Sequence, residues 1–418
     1  MDTSGYPVPV RLEMPGMFSF RVFYFSGSRF PPCPEPFGSG HFSILEVEDS
    51  LDDIGYMRMA LRLARRGVGW VSPNPMVGAL VVKEGRIIGR GWHKNYGEAH
   101  AERNALAACS ESPRGATLYV TLEPCCHQGK QPPCVDAILE AGIRRVVVGS
   151  PDPNPLVAGK GLQALRRAGI QVEEGVLQEA CDQLNQVFFH YIQTGRPFVV
   201  LKYAMTLDGK IAAHTGASQW ITGEAARAHV QRQRQRYAAI LVGVGTILED
   251  NPLLTCRISG ARQPLRVVCD SSLRTPLDSR LVSTSHQFPT LLATCCADPQ
   301  RWCPYEEAGC RIALSPGRDG RVDLSSLLQA LGREGIDSVL AEGGGTLHWS
   351  LLEQGLVQKV LAYLSPKLLG GRTAKTPVEG KGFPHPDQAV HLQRTHITRL
   401  GEDFLIEGEV AGDVHRHY

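Results

Sequence analysis

The stretch 121-TLEPCCHQGKQPPC-134 packs three cysteines, a histidine and three prolines into fourteen residues, and the fold of the surrounding segment turns on which sulfurs could hold a metal. Upstream, 99-AHAERNALAA-108 supplies His100 and Glu102. A zinc deaminase carries H-x-E and later P-C-x-x-C. Here Pro124-Cys125 is followed at once by Cys126, and eight residues separate Cys125 from Cys134. Two adjacent residues rarely present both side chains to one metal, so Cys126 and His127 are set aside and Cys125 and Cys134 are retained.

His100 and Glu102 lie two positions apart, about 200° around an ideal helix, so they cannot share its outer face. Both reach one site if that site caps the N-terminus of a helix starting near Ala101. Cys134 is placed in the same way, because it follows Pro132-Pro133 and proline is favoured at a helix start. The helix dipole stabilises a thiolate there. One imidazole and two thiolates make a three-ligand zinc site with a fourth position for water, whose pKa the metal lowers toward neutrality. Glu102 is then the proton carrier rather than a ligand. The loop between Cys125 and Cys134 is free to line a substrate pocket.

Around these motifs the sequence alternates helix and strand signals. The segment 52-DDIGYMRMALRLARRG-67 is helical by its spacing of Ile54, Met57, Leu61 and Ala64, with acids at its start and Gly67 at its end. A hairpin is expected from 77-VGALVVK-83 and 86-RIIGRGW-92 around Glu84-Gly85, then strands 117–122 and 145–149 flanking a helix over 133–141. Further signals at 161–169, 170–172 and 178–192 complete a three-layer α/β domain. The turn signal 194-TGRP-197 separates it from a second unit, with the boundary near residue 196. That unit is expected to carry strands at 198–205, 239–244, 265–270, 290–294, 311–314, 337–341 and 357–364, and helices at 223–236, 325–333 and 346–354. Domains are thus expected at 51–195 and 196–412. Residues 1–50, rich in Phe, Pro, Gly and Ser as in 30-FPPCPEPFGSG-40, read as a poorly ordered extension.

The bulk numbers agree with this frame. A chain of 418 residues is too long for one ordinary core. A formal net charge of +2 gives no electrostatic reason to expect nucleic acid or an anionic membrane as partner. No apolar run reaches the ~18 residues of a membrane span. The segment 17-MFSFRVFYF-25 is interrupted by Arg21 and lacks the order of a secretory signal. Most of the twelve cysteines (Cys109, Cys181, Cys256, Cys269 and Cys310 among them) are therefore expected as buried free thiols in a reducing cytoplasm, with organellar targeting by residues 1–50 left open.

The segments 73-PNPMVGALVV-82, 91-GWHKNYGEAHAE-102, 122-LEPCCHQGKQPPC-134 and 151-PDPNPLVAGKG-161 together resemble the RibD family, the bifunctional deaminase/reductases of riboflavin biosynthesis. The resemblance implies a cytidine-deaminase-like α/β/α domain that removes an amino group from a pyrimidinone ribosylamino phosphate. It implies zinc on His100, Cys125 and Cys134, with Glu102 as proton carrier. Asn74, His93 and Lys130 fall on positions that contact the base and phosphate. Two departures stand out: Gln131 replaces a usual Thr, and Cys126 a frequent Ser.

The second half has no G-x-G-x-x-G after its first strand, which weighs against an ordinary dehydrogenase. Instead 337-DSVLAEGGGTLHWSLLEQG-355 gives a strand, three glycines and a helix whose free N–H groups suit a phosphate. With 202-KYAMTLDGKIA-212, 218-SQWITG-223, 241-LVGVGTILEDNPLLTCR-257 and 270-DSSLRTP-276 it resembles the family's reductase domain, which implies a dihydrofolate-reductase-like fold and NADPH. The resemblance places Ala204, Trp220, Thr246, Asp250, Ser271 and the run Gly344, Gly345, Thr346, Leu347, His348, Trp349 and Ser350 at the cofactor. It places Ser218, Arg234, Leu254, Arg257 and Glu342 at the substrate. Arg234 and Arg257 suit a phosphate clamp, Arg232 and Arg236 read as a solvated face, and Lys202 and Asp208 are candidates to polarise or position the ribose. A small-molecule substrate and a homo-oligomer are expected. The competing readings are a nucleic-acid base deaminase, disfavoured by the charge and the second motif set, and a zinc-stabilised scaffold, which would not require Glu102.

Overall fold

In the computed structural model the described residues are 51–412; the expectation for residues 1–50 lies outside them. The first half opens with helix α1 (Asp53–Ala64), where the Asp52 side chain caps the Gly55 N–H at 2.7 Å. Strands β1 (Gly78–Lys83) and β2 (Arg86–Trp92) form the expected hairpin. Then follow α2 (Ala101–Ala107), β3 (Thr117–Leu122), α3 (Cys134–Glu140), β4 (Arg145–Ser150), α4 (Lys160–Arg167), β5 (Gln171–Glu173) and α5 (Gln178–Thr194). The sheet runs β2-β1-β3-β4-β5, antiparallel through the hairpin and parallel from β3 to β5.

Both faces of that sheet are covered, as alternation along its strands requires. Leu118, Val120 and Leu122 of β3 pack with α3 and α4, whereas Tyr119 packs with α1 and α5. Approach is close enough that a Cβ at Gly91 of β2 would lie 2.3 Å from the Ala101 carbonyl oxygen of α2. Glycine is thus what lets the start of α2 lie against the hairpin.

Gly195 ends α5 in a left-handed conformation (φ 65°), as helix C-termini favour. The second half then comprises β6 (Phe198–Thr206), α6 (Glu224–Arg236), β7 (Ala239–Gly243), α7 (Val244–Asp250), β8 (Leu265–Cys269), α8 (Arg280–Ser283), β9 (Thr290–Thr294), α9 (Cys303–Glu307), β10 (Arg311–Leu314), α10 (Leu324–Arg333), β11 (Ser338–Ala341), α11 (Gly345–Glu353), β12 (Lys359–Ser365), β13 (Leu392–Leu400) and β14 (Asp403–Val410). Its nine strands run β10-β9-β8-β7-β11-β6-β12-β14-β13, parallel from β10 to β12 and antiparallel beyond. The chain steps outward from β7 to β10 and returns to insert β11 between β7 and β6. In open α/β sheets ligands bind outside the carboxyl ends of strands where such a reversal occurs.

The short helices α7, α8 and α9 and the β13–β14 hairpin are additions to the sequence reading. α7 is a helix of about two turns between Gly243 and the left-handed Asn251. β13 is exposed along almost its whole length, so its side chains show no apolar alternation. Arg266 of β8 is fully buried, with its guanidinium donating to the carbonyls of Leu253, Leu281 and Phe288 and to the hydroxyls of Thr284 and Thr290.

Candidate active sites

His100 is the N-cap residue of α2 and Cys134 the first residue of α3, so two helix starts face one point. His100 Nδ1 lies 3.5 Å from Cys125 Sγ and 3.4 Å from Cys134 Sγ, and the three ligand atoms fall within 4.8 Å of one another. The Cys134 N–H points at Cys125 Sγ, 3.4 Å away. Cys134 and His100 beside it hold the Cys125 thiol well below the ordinary cysteine value, and the neighbouring Cys125 together with burial pushes Cys134 up. An N,S,S donor set with a thiolate already favoured is a fit for zinc, and the geometry names Nδ1 as the histidine donor.

Glu102 is buried beside this group, and burial first, then the Cys125 thiolate, raise its carboxyl to about 7. His93 is also buried. Its Nδ1–H donates to the Ala99 carbonyl (3.2 Å), leaving Nε2 to accept from Asn74 Nδ2 (3.2 Å). The ring therefore orients Asn74 and meets His100 edge-on at 5.3 Å between centroids. Lys130 sits over the Tyr96 ring at 3.9 Å. These residues, apart from the wholly buried Cys134, line a cavity of about 270 Å³.

The surrounding loops are pinned by side chains that the motif reading passed over. Arg103 donates to the carbonyls of Pro132 and Pro133, just before Cys134. Asn104 donates to those of Trp92 and Ala99. Gln131, one of the two departures, holds its loop to the Gly97 carbonyl at 2.8 Å. Glu123 is buried and accepts the backbone N–H groups of Asp152, Gly159, Gly161 and Leu162. It thereby ties the residue pair Pro124-Cys125 to the segment 151–162. That segment lends Asp152 and Asn154 to the cavity wall, and burial raises the Asp152 carboxyl to about 7. The signal for these was the acid-and-asparagine run 151-PDPN-154, whose direction into the site no local pattern encodes.

In the second half two crevices meet at the carboxyl ends of β6, β7, β8 and β11. The larger, about 810 Å³, is lined by Thr246, Asp250, Ser271, Gly344, Gly345, Thr346, Leu347 and Ser350 among others. The smaller, about 640 Å³, is lined by Lys202, Ala204, Ser218, Trp220, Arg234, Arg257, Glu342 and His348. Ile211, Ser218, Thr246, Asp250 and Gly344 line both. Leu254 and Trp349 point into packed interior instead, Leu254 among the core residues of β7 and β8 and Trp349 against Phe383.

Glu342 accepts from Arg234 Nε (2.8 Å) and Nη2 (2.9 Å), with Lys202 Nζ at 3.5 Å. Burial alone would raise its carboxyl, but Arg234 and Lys202 outweigh that and hold it at about 2. Most of the Arg234 fork is therefore occupied, its Nη1 donating to the Thr255 carbonyl as well. Arg257 has no side-chain partner among the described residues. Asp208 accepts from the N–H groups of Leu369 and Gly370 and so fastens a loop outside both crevices. Arg232 is exposed and Arg236 lies over the Tyr237 ring. At Gly344 a Cβ would meet nothing within 4 Å, so the N-terminal N–H groups of α11 open onto the larger crevice, a fit for a cofactor diphosphate.

Comparison with known proteins places these sites in context. A family model for the cytidine and deoxycytidylate deaminase zinc-binding region matches residues 51–150, and one for the RibD C-terminal domain matches residues 197–406. The riboflavin biosynthesis protein RibD of Actinobacillus pleuropneumoniae is 53% identical over 358 residues, covering 86% of this chain and 95% of that protein. That of Escherichia coli K12 is 42% identical over 333 residues, covering 77% and 89%. Among solved structures, RibD of Acinetobacter baumannii is similar with a TM-score of 0.77 at 36% identity, covering 86% of this chain and 99% of its own. A diaminohydroxyphosphoribosylaminopyrimidine deaminase/5-amino-6-(5-phosphoribosylamino)uracil reductase from Thermotoga maritima gives 0.74 at 38%, covering 86% and 98%.

Proposed function

The chain belongs to the RibD family, bifunctional deaminases and reductases of riboflavin biosynthesis, and from that premise we propose which residues carry each step. The first substrate is 2,5-diamino-6-ribosylamino-4(3H)-pyrimidinone 5′-phosphate, and the final product 5-amino-6-ribitylaminouracil 5′-phosphate. Residues 51–195 carry the deaminase and 196–412 the reductase. The observation that carries the reading is the convergence of His100, Cys125 and Cys134 beside buried Glu102 in one cavity.

His100, Cys125 and Cys134 would hold zinc, which when bound supplies the Lewis acidity that makes water a nucleophile near neutral pH. Glu102 takes a proton from the attacking water and passes it to the ring nitrogen, then carries the remaining hydroxyl proton to the departing amine. The C–N bond breaks, a carbonyl forms and ammonia leaves. A carboxyl raised by burial suits a group that must both accept and return a proton. Asn74, oriented by His93, holds the ring. Lys130, at the cavity mouth over Tyr96, meets the phosphate.

In the reductase, NADPH when bound supplies the reducing equivalent for conversion of ribosyl to ribityl. The start of α11 cradles its diphosphate, and the wall shared by the two crevices is where cofactor and sugar meet. Glu342 fixes Lys202 and Arg234 in the substrate crevice, Lys202 facing the sugar. Arg257, whose guanidinium is unengaged among the described residues, is the principal phosphate contact, with the remaining Arg234 N–H groups beside it.

Free thiols throughout the described residues support a reducing, cytoplasmic setting. The long exposed edge strand β13 supports association with a second copy. The near-neutral charge supports a small-molecule substrate in place of nucleic acid, and among the described residues no helix is long and apolar enough to cross a membrane. The test is to supply the diaminopyrimidinone phosphate with and without NADPH. Without it, product stops at the ribosylamino uracil; with it, the ribityl compound forms. No product in either arm would favour a zinc-stabilised scaffold.

A further inference from the structure

The larger reductase crevice extends well past the start of α11. It continues over the carboxyl end of β8 to a short hairpin closed by pairing of Pro316 with Val322. The Val322 N–H donates to Ser271 Oγ at 3.2 Å and fastens that hairpin to the loop after β8. Arg274, on the β8 loop, and Arg318, on the hairpin, both line that crevice. Neither guanidinium has a hydrogen-bond or ion-pair partner among the described residues. The nearby acids are otherwise engaged: Asp319 leans toward Arg321 at 3.8 Å, and Asp323 caps α10 through the Ser326 N–H.

The orientation of a dinucleotide follows from the crevice's shape. Its reacting end must lie at the wall shared with the substrate crevice, by Ile211, Ser218 and Asp250. Its diphosphate belongs at the N-terminus of α11, where Gly344 leaves the backbone open. From β11 across β7 to β8 is two strand spacings, about 10 Å. The crevice lining includes the β8 loop and the hairpin with Arg274 and Arg318, and the adenosine half is placed against them.

Resting on the cofactor reading above, we propose that Arg274 and Arg318 form the clamp for the adenosine 2′-phosphate and set the preference of this reductase for NADPH over NADH. A phosphate monoester carries close to two negative charges at neutral pH. Two unpaired guanidiniums supply charge-assisted, bidentate donors matched to it, and a plain 2′-hydroxyl gains little from them. Ser271 acts at one remove, by holding the hairpin that carries Arg318. The neighbouring Ser272 and Thr275 are left to the loop itself, since the Thr275 hydroxyl already donates to Asp270.

The test is calorimetric titration of the full-length protein with NADP+, NAD+ and adenosine 2′,5′-bisphosphate, for wild type, Arg274→Ala, Arg318→Ala and the double variant. Hydrogen bonds to charged groups are worth enough that Arg274→Ala should weaken NADP+ and the bisphosphate by about 10- to 100-fold. NAD+ should stay within about twofold. The double variant should bind NADP+ and NAD+ alike, and the wild-type discrimination should fade with added salt. An unchanged thermal melting profile in each variant verifies the fold. Equal weakening of NADP+ and NAD+, or no change in either, overturns the clamp alone. Failure of the wild type to bind NADP+ or the bisphosphate overturns the cofactor reading and the clamp with it.

Discussion

Glu342 is buried with two cations on its carboxylate, so its removal would strand both in a poorly solvated place. Breaking such a group by deleting one partner costs about 3–5 kcal/mol. Glu342→Gln, which keeps the shape and one acceptor, should lie at the lower end and also depress reduction. Its carboxyl in the fold sits near 2, below the ordinary value of about 4.3. The stabilisation is then fully present above the unfolded value and is lost as pH falls through the folded one. Thermal melts should show a constant gap between wild type and variant from pH 8 to about 5, narrowing below about 4. A gap that widened on acidification would contradict the assigned pairing. At this scale the sequence was most legible where residue type alone restricts chemistry. A histidine, a glutamate and two well-spaced cysteines have few joint uses. Glu123 and Asp152 were not legible, because a carboxylate acquires its task only from the backbone N–H groups that fold onto it.

At the scale of elements, the deaminase depends on two short helices whose starts converge. The α2 start is held by contact with β2, where a Cβ on Gly91 would collide with the Ala101 carbonyl and the Ala105 N–H, each 2.3 Å away. Gly91→Ala must push α2 outward, carrying His100 and Glu102 with it. Overpacking of this kind costs about 1–3 kcal/mol. Displacement by about 1 Å of groups that touch reacting atoms can cost ~100-fold in rate. Deamination and zinc content should both fall, with reduction unaffected; retention of full deamination would show that α2 is not held by this contact. The elements that carry the sites were readable because strands and helices alternate with clear punctuation. The β13–β14 hairpin escaped because its outer strand is solvated along its length, and α7 because the apolar strand signal of 239–244 runs into its first residue.

At the scale of the whole molecule, two chemistries share one chain without sharing residues. The α5 helix bridges the halves: Tyr191 lines the deaminase cavity and donates its hydroxyl to the Gly332 carbonyl of α10. The deaminase ligands all precede residue 135, and every side chain assigned to reduction follows residue 201. The order of the motifs made this division readable, whereas the meeting of the two reductase crevices depends on β11 returning between β7 and β6, a non-local pairing that no segment states alone. Independence of the sites is the central claim, and Glu102→Ala tests it most directly. Zinc content, deamination of the diaminopyrimidinone phosphate, and NADPH-dependent reduction of separately supplied deaminated intermediate should be measured on one preparation. The variant should keep its zinc, lose deamination by about 10²- to 10⁴-fold, and reduce the intermediate at the wild-type rate. Equal loss of both activities with zinc retained would contradict two independent sites.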